Sequence, residues 1–270
     1  MIVCGITGHN GNLGKRFIKL FKIFKYEKFN GDITNKKDVL EWVKNKNFNI
    51  VLHFASIVPT KLVSKNYKKA LNINYSGTKL LVDALKKYNK KLDWFFFSST
   101  SHVYEKSNIK IKEHHLTKPI SKYGLTKLKA EKYIIKELKN TGIRYCIGRI
   151  FSIFDNKDKN FLIPNLIYKM KSKKKIIKLK NLNHYRDFLS TEQISKIINF
   201  LYKKKYKGIV NIASGQETFL KDIAIQIALK KKKKIIFNDN NKPTKVIANI
   251  EKLNKIRGRF KKLNTLNFFN

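Results

Sequence analysis

Three short stretches of the chain hold residue types whose spacing could do chemistry. Tyr123 and Lys127, in Tyr123-Gly124-Leu125-Thr126-Lys127, stand four residues apart and would share one face of a helix. A lysine ammonium beside a phenol favours the phenolate and lowers the tyrosine pKa. Such a pair suits general acid–base work between a carbinol and a carbonyl. In a chain this rich in lysine, the spacing alone also arises by chance. A hydroxyl-rich run, Ser98-Ser99-Thr100-Ser101, follows the aromatic Phe96-Phe97 and could donate to the same substrate oxygen. In isolation it would read as a polar strand end. The third stretch, Thr7-Gly8-His9-Asn10-Gly11-Asn12-Leu13-Gly14, sets glycines at 8, 11 and 14. That spacing permits a tight turn, close backbone approach to a pyrophosphate and close packing of helix on strand. Free N–H groups at the start of the following helix would face the phosphates.

These residues need a scaffold, and the hydrophobic period supplies one. Short apolar runs at 2–7, 22–26, 50–54, 93–98 and 143–150 read as strands. Helical spacing marks 12–21, 36–46, 66–88 and 121–139 between them. Repeated βα units imply an α/β fold, a doubly wound parallel sheet with right-handed crossovers. Its carboxyl edge faces the ligand crevice, which is where the glycine turn and Thr100 fall. Beyond Phe151 the pattern is less regular, with helices at 161–170, 191–202 and 219–229 and strands at 208–212 and 235–237. Residues 1–155 are expected to form a dinucleotide-binding domain. Residues 156–270 are expected to form mainly a smaller substrate-binding region, with 188–212 returning to the sheet. No Gly/Ser/Pro-rich linker divides them.

Taken together, the motifs resemble the extended short-chain dehydrogenase/reductase family of nucleotide-sugar epimerases, dehydratases and reductases. Its TGxxGxxG is matched by Thr7 to Gly14, and its adenine-contacting acid by Asp32 in Gly31-Asp32-Ile33-Thr34. Its H-x-A strand end is matched by His53-Phe54-Ala55, and its NxxGT by Asn74-Tyr75-Ser76-Gly77-Thr78. The hydroxyl run, YxxxK, Arg186-Asp187-Phe188 and Asn211-Ile212-Ala213-Ser214-Gly215 follow in the family's order, so the resemblance spans about residues 1–256. It implies a Rossmann-type fold and an NAD or NADP cofactor on Gly8, Asn10, Gly11, Asn12, Leu13, Gly14, Asp32, Ile33, Phe54, Ala55, Ser56, Asn74, Ser98 and Ile150. Thr100, Tyr123 and Lys127 are implied as catalytic, with Tyr123 and Lys127 also touching the cofactor. Thr100, Ser101, Tyr123, Asn165 and Arg186 are implied substrate contacts, Arg186 through a nucleotide diphosphate. Asn74 would also anchor the helix that positions the site. A homodimer through 66–88 and 121–139 is implied as well.

Ser101-His102 stands after Thr100 where the family's 4,6-dehydratases place Asp-Glu, which disfavours dehydration. Only 23 residues, 9–31, separate Gly8 from Asp32. That compact start is similar to the 4-keto-6-deoxy-sugar reductases. The hydroxyl run and Arg186-Asp187-Phe188 also suit a UDP-hexose 4-epimerase, which stays the alternative to the preferred reductase. A non-catalytic dinucleotide-sensing or polyanion-binding relative is the alternative of another class. Lys25, Tyr26, Glu27 and Lys28 after the second strand offer chemistry for either NAD or NADP, and Arg16 adds a possible phosphate partner. His53 reads as a packed strand histidine.

Sixty basic against 18 acidic residues give a formal charge of +42. Only six of the sixty are arginines, and the lysines run the length of the chain. Phosphate readout favours arginine forks, so this balance points to biased codon usage and solvated faces, with no specific nucleic-acid partner. The excess should still draw in an anionic substrate. No apolar run approaches the roughly 20 residues of a membrane span. Neither an export segment nor a membrane anchor is legible, so a cytoplasmic location is expected. Cys4 and Cys146 lie in apolar runs and read as buried thiols. His114, His115 and His184 have no metal-ligand spacing, so no metal is expected.

Overall fold

A computed structural model of the chain describes residues 1–58, 60–155, 161–239 and 242–257. In chain order the elements are β1 (Ile2–Thr7), α1 (Asn12–Leu20), β2 (Phe24–Lys28), α2 (Lys36–Lys44), β3 (Ile50–His53), α3 (Thr60–Lys65) and α4 (Tyr67–Leu71). A π-helical turn (Asn72–Gly77) leads into α5 (Thr78–Tyr88), β4 (Trp94–Thr100), a 3-10 turn (Ser101–Val103), α6 (Lys122–Leu138) and β5 (Arg144–Ile150). Then come β6 (Ser152–Phe154), α7 (Leu162–Met170), β7 (Ile176–Leu179), β8 (His184–Arg186), β9 (Phe188–Ser190), α8 (Thr191–Lys203) and β10 (Gly208–Ile212). β11 (Thr218–Phe219), α9 (Leu220–Lys230), β12 (Lys234–Phe237), β13 (Thr244–Val246) and α10 (Glu251–Arg257) complete the described chain.

Six strands form one sheet in the order β10-β5-β4-β3-β1-β2. The pairings of β1 with β2 and β3, β3 with β4, and β4 with β5 are all parallel. The chain winds from β1 to β2 on one side, then returns to β3 on the other. The turn after β1 therefore lies at the point where strand order reverses, the ligand-binding place of a doubly wound Rossmann-type sheet.

β4 shows why the sheet is buried on both faces. Trp94, Phe95, Phe96 and Phe97 are all buried, and successive side chains point to opposite faces. Phe95 and Phe97 pack with Val39 and Val43 of α2, Leu81 and Leu85 of α5, and Ile134 of α6. Trp94 and Phe96 turn the other way, toward Tyr202 of α8 and Phe54.

The chain divides into two compact units. The first holds Met1–Glu105, Glu113–Ile150 and Glu192–Val210, and the second Lys106–Lys112, Phe151–Thr191 and Asn211–Asn270. The second unit carries the small sheets β11-β8-β13, β12-β7 and β6-β9. Its core joins Ile163, Leu166 and Met170 of α7 to Ile223, Ala224 and Ile227 of α9.

Two sequence expectations shift. The second strand lies at Phe24–Lys28 rather than 22–26. The single helix expected at 66–88 is three pieces, α4, the π turn and α5. The extra residue of the π turn lets buried Asn74 spend its amide on neighbouring elements, a contact that helical periodicity does not encode.

Candidate active site

The carboxyl edge of the parallel sheet gathers most of the expected site residues. Thr7 is in register with His53, His53 with Phe97, and Thr100 with Ile150. The strand ends thus bring Gly8, Phe54, Ser98, Thr100 and Ile150 along one border. Asn165 on α7 and Arg186 on β8 belong to the second unit.

Gly8 has φ +69°, and a Cβ there would meet Ala55 N at 2.5 Å. The turn therefore presses main chain on main chain, which only glycine allows. Gly11 N donates to Gly8 O at 3.0 Å. An added Cβ at Gly11 would meet, among the described atoms, only that oxygen within 4 Å. The start of α1 has neither a capping side chain nor an acid in its first turn. Open space before the first N–H groups of a helix without a capping side chain fits a pyrophosphate. Asn10 and Asn12 are exposed on this turn, and Leu13 is half-buried. Asp32 is exposed, and its Oδ1 accepts from Thr34 N and Oγ1, both at 2.8 Å. These bonds hold its carboxyl below the usual carboxylate range. Ile33 is buried.

Behind the turn lies a polar chain that sequence reading placed only as packing. His53 is fully buried, with Nδ1 2.6 Å from Thr7 Oγ1 and Nε2 2.8 Å from Thr78 Oγ1. Thr78 gives its single hydroxyl proton to Asn74 O at 2.8 Å, so it accepts from His53 Nε2–H. Thr7 in turn donates to Nδ1 and accepts from Ala55 N at 3.3 Å. The imidazole is thereby fixed as one neutral tautomer. Burial, with Lys127 nearby, pushes its pKa down to about 3.

Asn74 is also fully buried. Its Oδ1 accepts from Ile57 N (2.7 Å) and Ser56 Oγ (3.0 Å), while its Nδ2 donates to Ile57 O and Thr126 Oγ1 (both 3.1 Å). The amide is fully engaged inside the protein, which suits Asn74 to positioning its neighbours. It ties 55–57, the loop after β3, to α6.

α6 carries Tyr123 and Lys127. Ser121 caps it, accepting from Gly124 N at 3.0 Å. A Cβ on Gly124 would overlap His102 O, so the first turn of α6 lies directly on the 3-10 turn after β4. The Thr100 hydroxyl lies beside the buried Tyr123 phenol, near enough to favour its ionised form. Ser101 is buried in the same turn, and Ser98 donates to His53 O at 3.2 Å.

Burial raises the Tyr123 phenol, and the neighbouring Thr100 hydroxyl works against that rise. Lys127 is itself buried, 4.5 Å above the Phe97 ring. Desolvation pulls its pKa down to about 7, against the opposing charge of Glu131. Burial thus disfavours its charged form.

Sequence reading missed the ionic cluster beside Lys127. Glu131 takes Arg149 Nη2 at 2.7 Å and Nε at 3.1 and 3.2 Å, and accepts from Ser99 Oγ. Arg149 Nη1 donates to Glu113 O at 3.0 Å. The one available signal was the Lys127–Glu131 spacing of four on α6.

In the second unit, Asn165 is half-buried. Arg186 donates to Tyr185 O at 2.8 Å and to Thr244 O at 3.3 Å. Among the described residues no carboxylate lies within ion-pair distance of its guanidinium. Asp187, its chain neighbour, is instead fully buried against the main chain of 214, 215 and 248.

The sheet edge sets a buried phenol beside a hydroxyl, on the same border as a glycine turn fit for pyrophosphate, and such a phenol can exchange a proton with a ligand there. A Methanocaldococcus jannaschii protein with a provisional UDP-glucose 4-epimerase name is 30% identical over 205 residues, covering 74% of this chain and 66% of that relative. The GDP-6-deoxy-D-talose 4-dehydrogenase of Aggregatibacter actinomycetemcomitans is 28% identical over 221 residues, covering 78% and 74%. The structure of a Bacillus cereus UDP-glucuronic acid 4-epimerase with UDP-glucuronic acid and NAD superposes with TM-score 0.85 at 21% identity, covering 97% and 95%. At that identity the likeness speaks for the fold. The model of the NAD dependent epimerase/dehydratase family matches residues 4–213, which include the glycine turn, the hydroxyl run and YxxxK, and the chain belongs to that family.

Proposed function

We propose that this chain is an NAD(P)-dependent oxidoreductase that reduces a 4-keto-6-deoxy sugar carried on a nucleotide. The carrying observation is the buried phenol of Tyr123, raised in pKa by burial, with the Thr100 hydroxyl beside it. A phenol that keeps its proton at neutral pH is suited to act as an acid. When bound, the nicotinamide supplies the hydride to the carbonyl carbon. Tyr123 gives its proton to the carbonyl oxygen, and Thr100 holds that oxygen in place. Lys127 steadies the dinucleotide beside them. The glycine turn and the start of α1 hold the pyrophosphate, with Asp32, Phe54–Ser56, Ser98 and Ile150 lining the remainder. Ser101, Asn165 and Arg186 hold the substrate, Arg186 through the nucleotide's phosphates, since its planar fork suits them. The name of the Aggregatibacter relative supports oxidoreduction at a deoxysugar C4.

The second reading is a UDP-hexose 4-epimerase, favoured by the names of the Methanocaldococcus relative and the Bacillus structure. It requires the phenol to take a proton first, which burial opposes. The family likeness also supports a homodimer through 66–88 and 121–139.

The test is a screen of nucleotide-linked keto sugars with NADH and NADPH, followed by cofactor absorbance. Oxidation of the cofactor is expected, with turnover falling by about a thousandfold in Tyr123→Phe while dinucleotide binding persists. Interconversion of UDP-hexoses without net cofactor change would favour the epimerase. Dinucleotide binding with neither activity would favour a sensing role, and normal turnover by Tyr123→Phe would refute the assignment of the acid.

A further inference from the structure

A cavity of about 220 Å³ opens beside the glycine turn, lined by His9 and Asn10 of the turn, Lys15, Ile18 and Lys19 along α1, Lys22 just after it, and Lys28 at the end of β2. Four lysines line it and no carboxylate does. Among the described residues, none of these lysines has an acid within ion-pair distance. His9 adds a buried Nδ1 with no hydrogen-bond partner. Burial and the nearby charge of Lys28 both hold the His9 pKa down. The site is thus a preformed positive concavity with one unsatisfied ring nitrogen.

The side chains that could serve a different chemistry are already engaged. Glu27 could accept ribose hydroxyls, but it pairs with Lys46 at 3.1 Å and Lys25 at 3.8 Å. It is in register with Gly5 and Lys28 with Ile6, so strand alternation turns the two to opposite faces. Tyr26 gives its hydroxyl to Phe21 O at 2.6 Å. Arg16 lies 3.9 Å from Glu192. Lys28 falls about 20 residues after Gly8, where NAD sites of this architecture carry an acid for the ribose 2′-hydroxyl. A lysine there reverses the preference.

We propose that this cavity holds the 2′-phosphate of an NADP-type dinucleotide, so that the chain prefers NADP(H) to NAD(H). The inference rests on the glycine turn being a dinucleotide site. Lys15 and Lys28 supply charge from two elements that line the cavity, α1 and β2.

The test is direct binding, read by the fluorescence of the reduced nicotinamide with no sugar present. NADPH is expected to bind at least about tenfold more tightly than NADH. Lys15→Ala and Lys28→Ala should each remove most of that advantage while changing NADH affinity by less than about twofold. In competition, 2′,5′-ADP should displace NADPH better than ADP does. The double variant Lys36→Ala/Lys37→Ala, on α2 outside the cavity, controls for general charge and should leave the ratio unchanged. Equal affinity of wild-type protein for the two dinucleotides would overturn the 2′-phosphate site and leave the dinucleotide reading standing. So would a loss in the α2 variant equal to that in the cavity variants. Binding of neither dinucleotide would overturn the reading beneath it.

Discussion

Each unit buries a carboxylate completely, and the two neutralise it by different means. Glu131, in the first, is met by the forked guanidinium of Arg149 and the Ser99 hydroxyl. Asp187, in the second, accepts from Ser214 N (2.7 Å), Ser214 Oγ (2.6 Å), Gly215 N (2.8 Å) and Ala248 N (3.2 Å). A side-chain pair brings an opposing full charge with it and sets a field at Lys127. A main-chain cradle brings none, and Asp187 serves as a knot joining segments about 30 and 60 residues apart in the chain. Burial accordingly raises the Asp187 pKa even against those hydrogen bonds. Arg149 is held firmly charged by Glu131 although burial opposes its charge.

The contrast breaks first at Glu131. Glu131→Ala strands the Arg149 charge in the interior, and chemical denaturation should show a loss of about 3–5 kcal/mol. The double variant Glu131→Leu/Arg149→Met removes both charges and should recover most of it. If the single and double variants were equally destabilised, the pair would not be acting as a pair. At Asp187 the expected effect is smaller. Asp187→Ala leaves donors without an acceptor, at about 2–3 kcal/mol in total. The amides of Ser214, Gly215 and Ala248 should lose hydrogen-exchange protection before those of β1. Uniform loss across the whole chain would deny Asp187 its local role.

A pH dependence sharpens the electrostatic half of the comparison. Lys127 falls from 10.5 to about 7 in the folded chain. The unfolded chain then binds the extra proton between those values, so stability rises with pH through that window. Below about pH 7 both states are protonated and the cost of the buried charge is fully present. The slope reaches about 1.4 kcal/mol per pH unit at most. Stability of wild type minus that of Lys127→Met, measured from pH 7 to 9, isolates this slope from the remaining charges. A flat difference would mean that Glu131 keeps Lys127 fully protonated.

What could be read from the sequence was what neighbouring residues encode. The glycine turn, the aromatic strand 94–97 and the Tyr123/Lys127 pair are each fixed within a few positions, by turn sterics or by a period of two or four. Contacts between distant positions were illegible. The Asn74 amide meets Thr126 across 52 positions, and Arg149 meets Glu131 across 18. The break at 72–77 follows from the first of these, since nothing in the apolar spacing of 66–88 interrupts the helix. The lysine run at 171–180 hid β7, whose Ile177 and Leu179 face inward while Ile176 and Lys178 face out. Charge density there masked a strand's alternation. The downward shift of Lys127 was also hidden, because a motif gives spacing and no measure of solvent.

The missing side chain at Gly124 has one more consequence. The peptide of His102, two places beyond Thr100, rests on the opening turn of α6 with no rotatable group between them. A fluctuation that displaces the helix must carry the strand tip along, and the reverse. The spacing between the main chains that carry Tyr123 and Thr100 is therefore gauged by the thickness of two backbones, a distance no rotamer change can adjust.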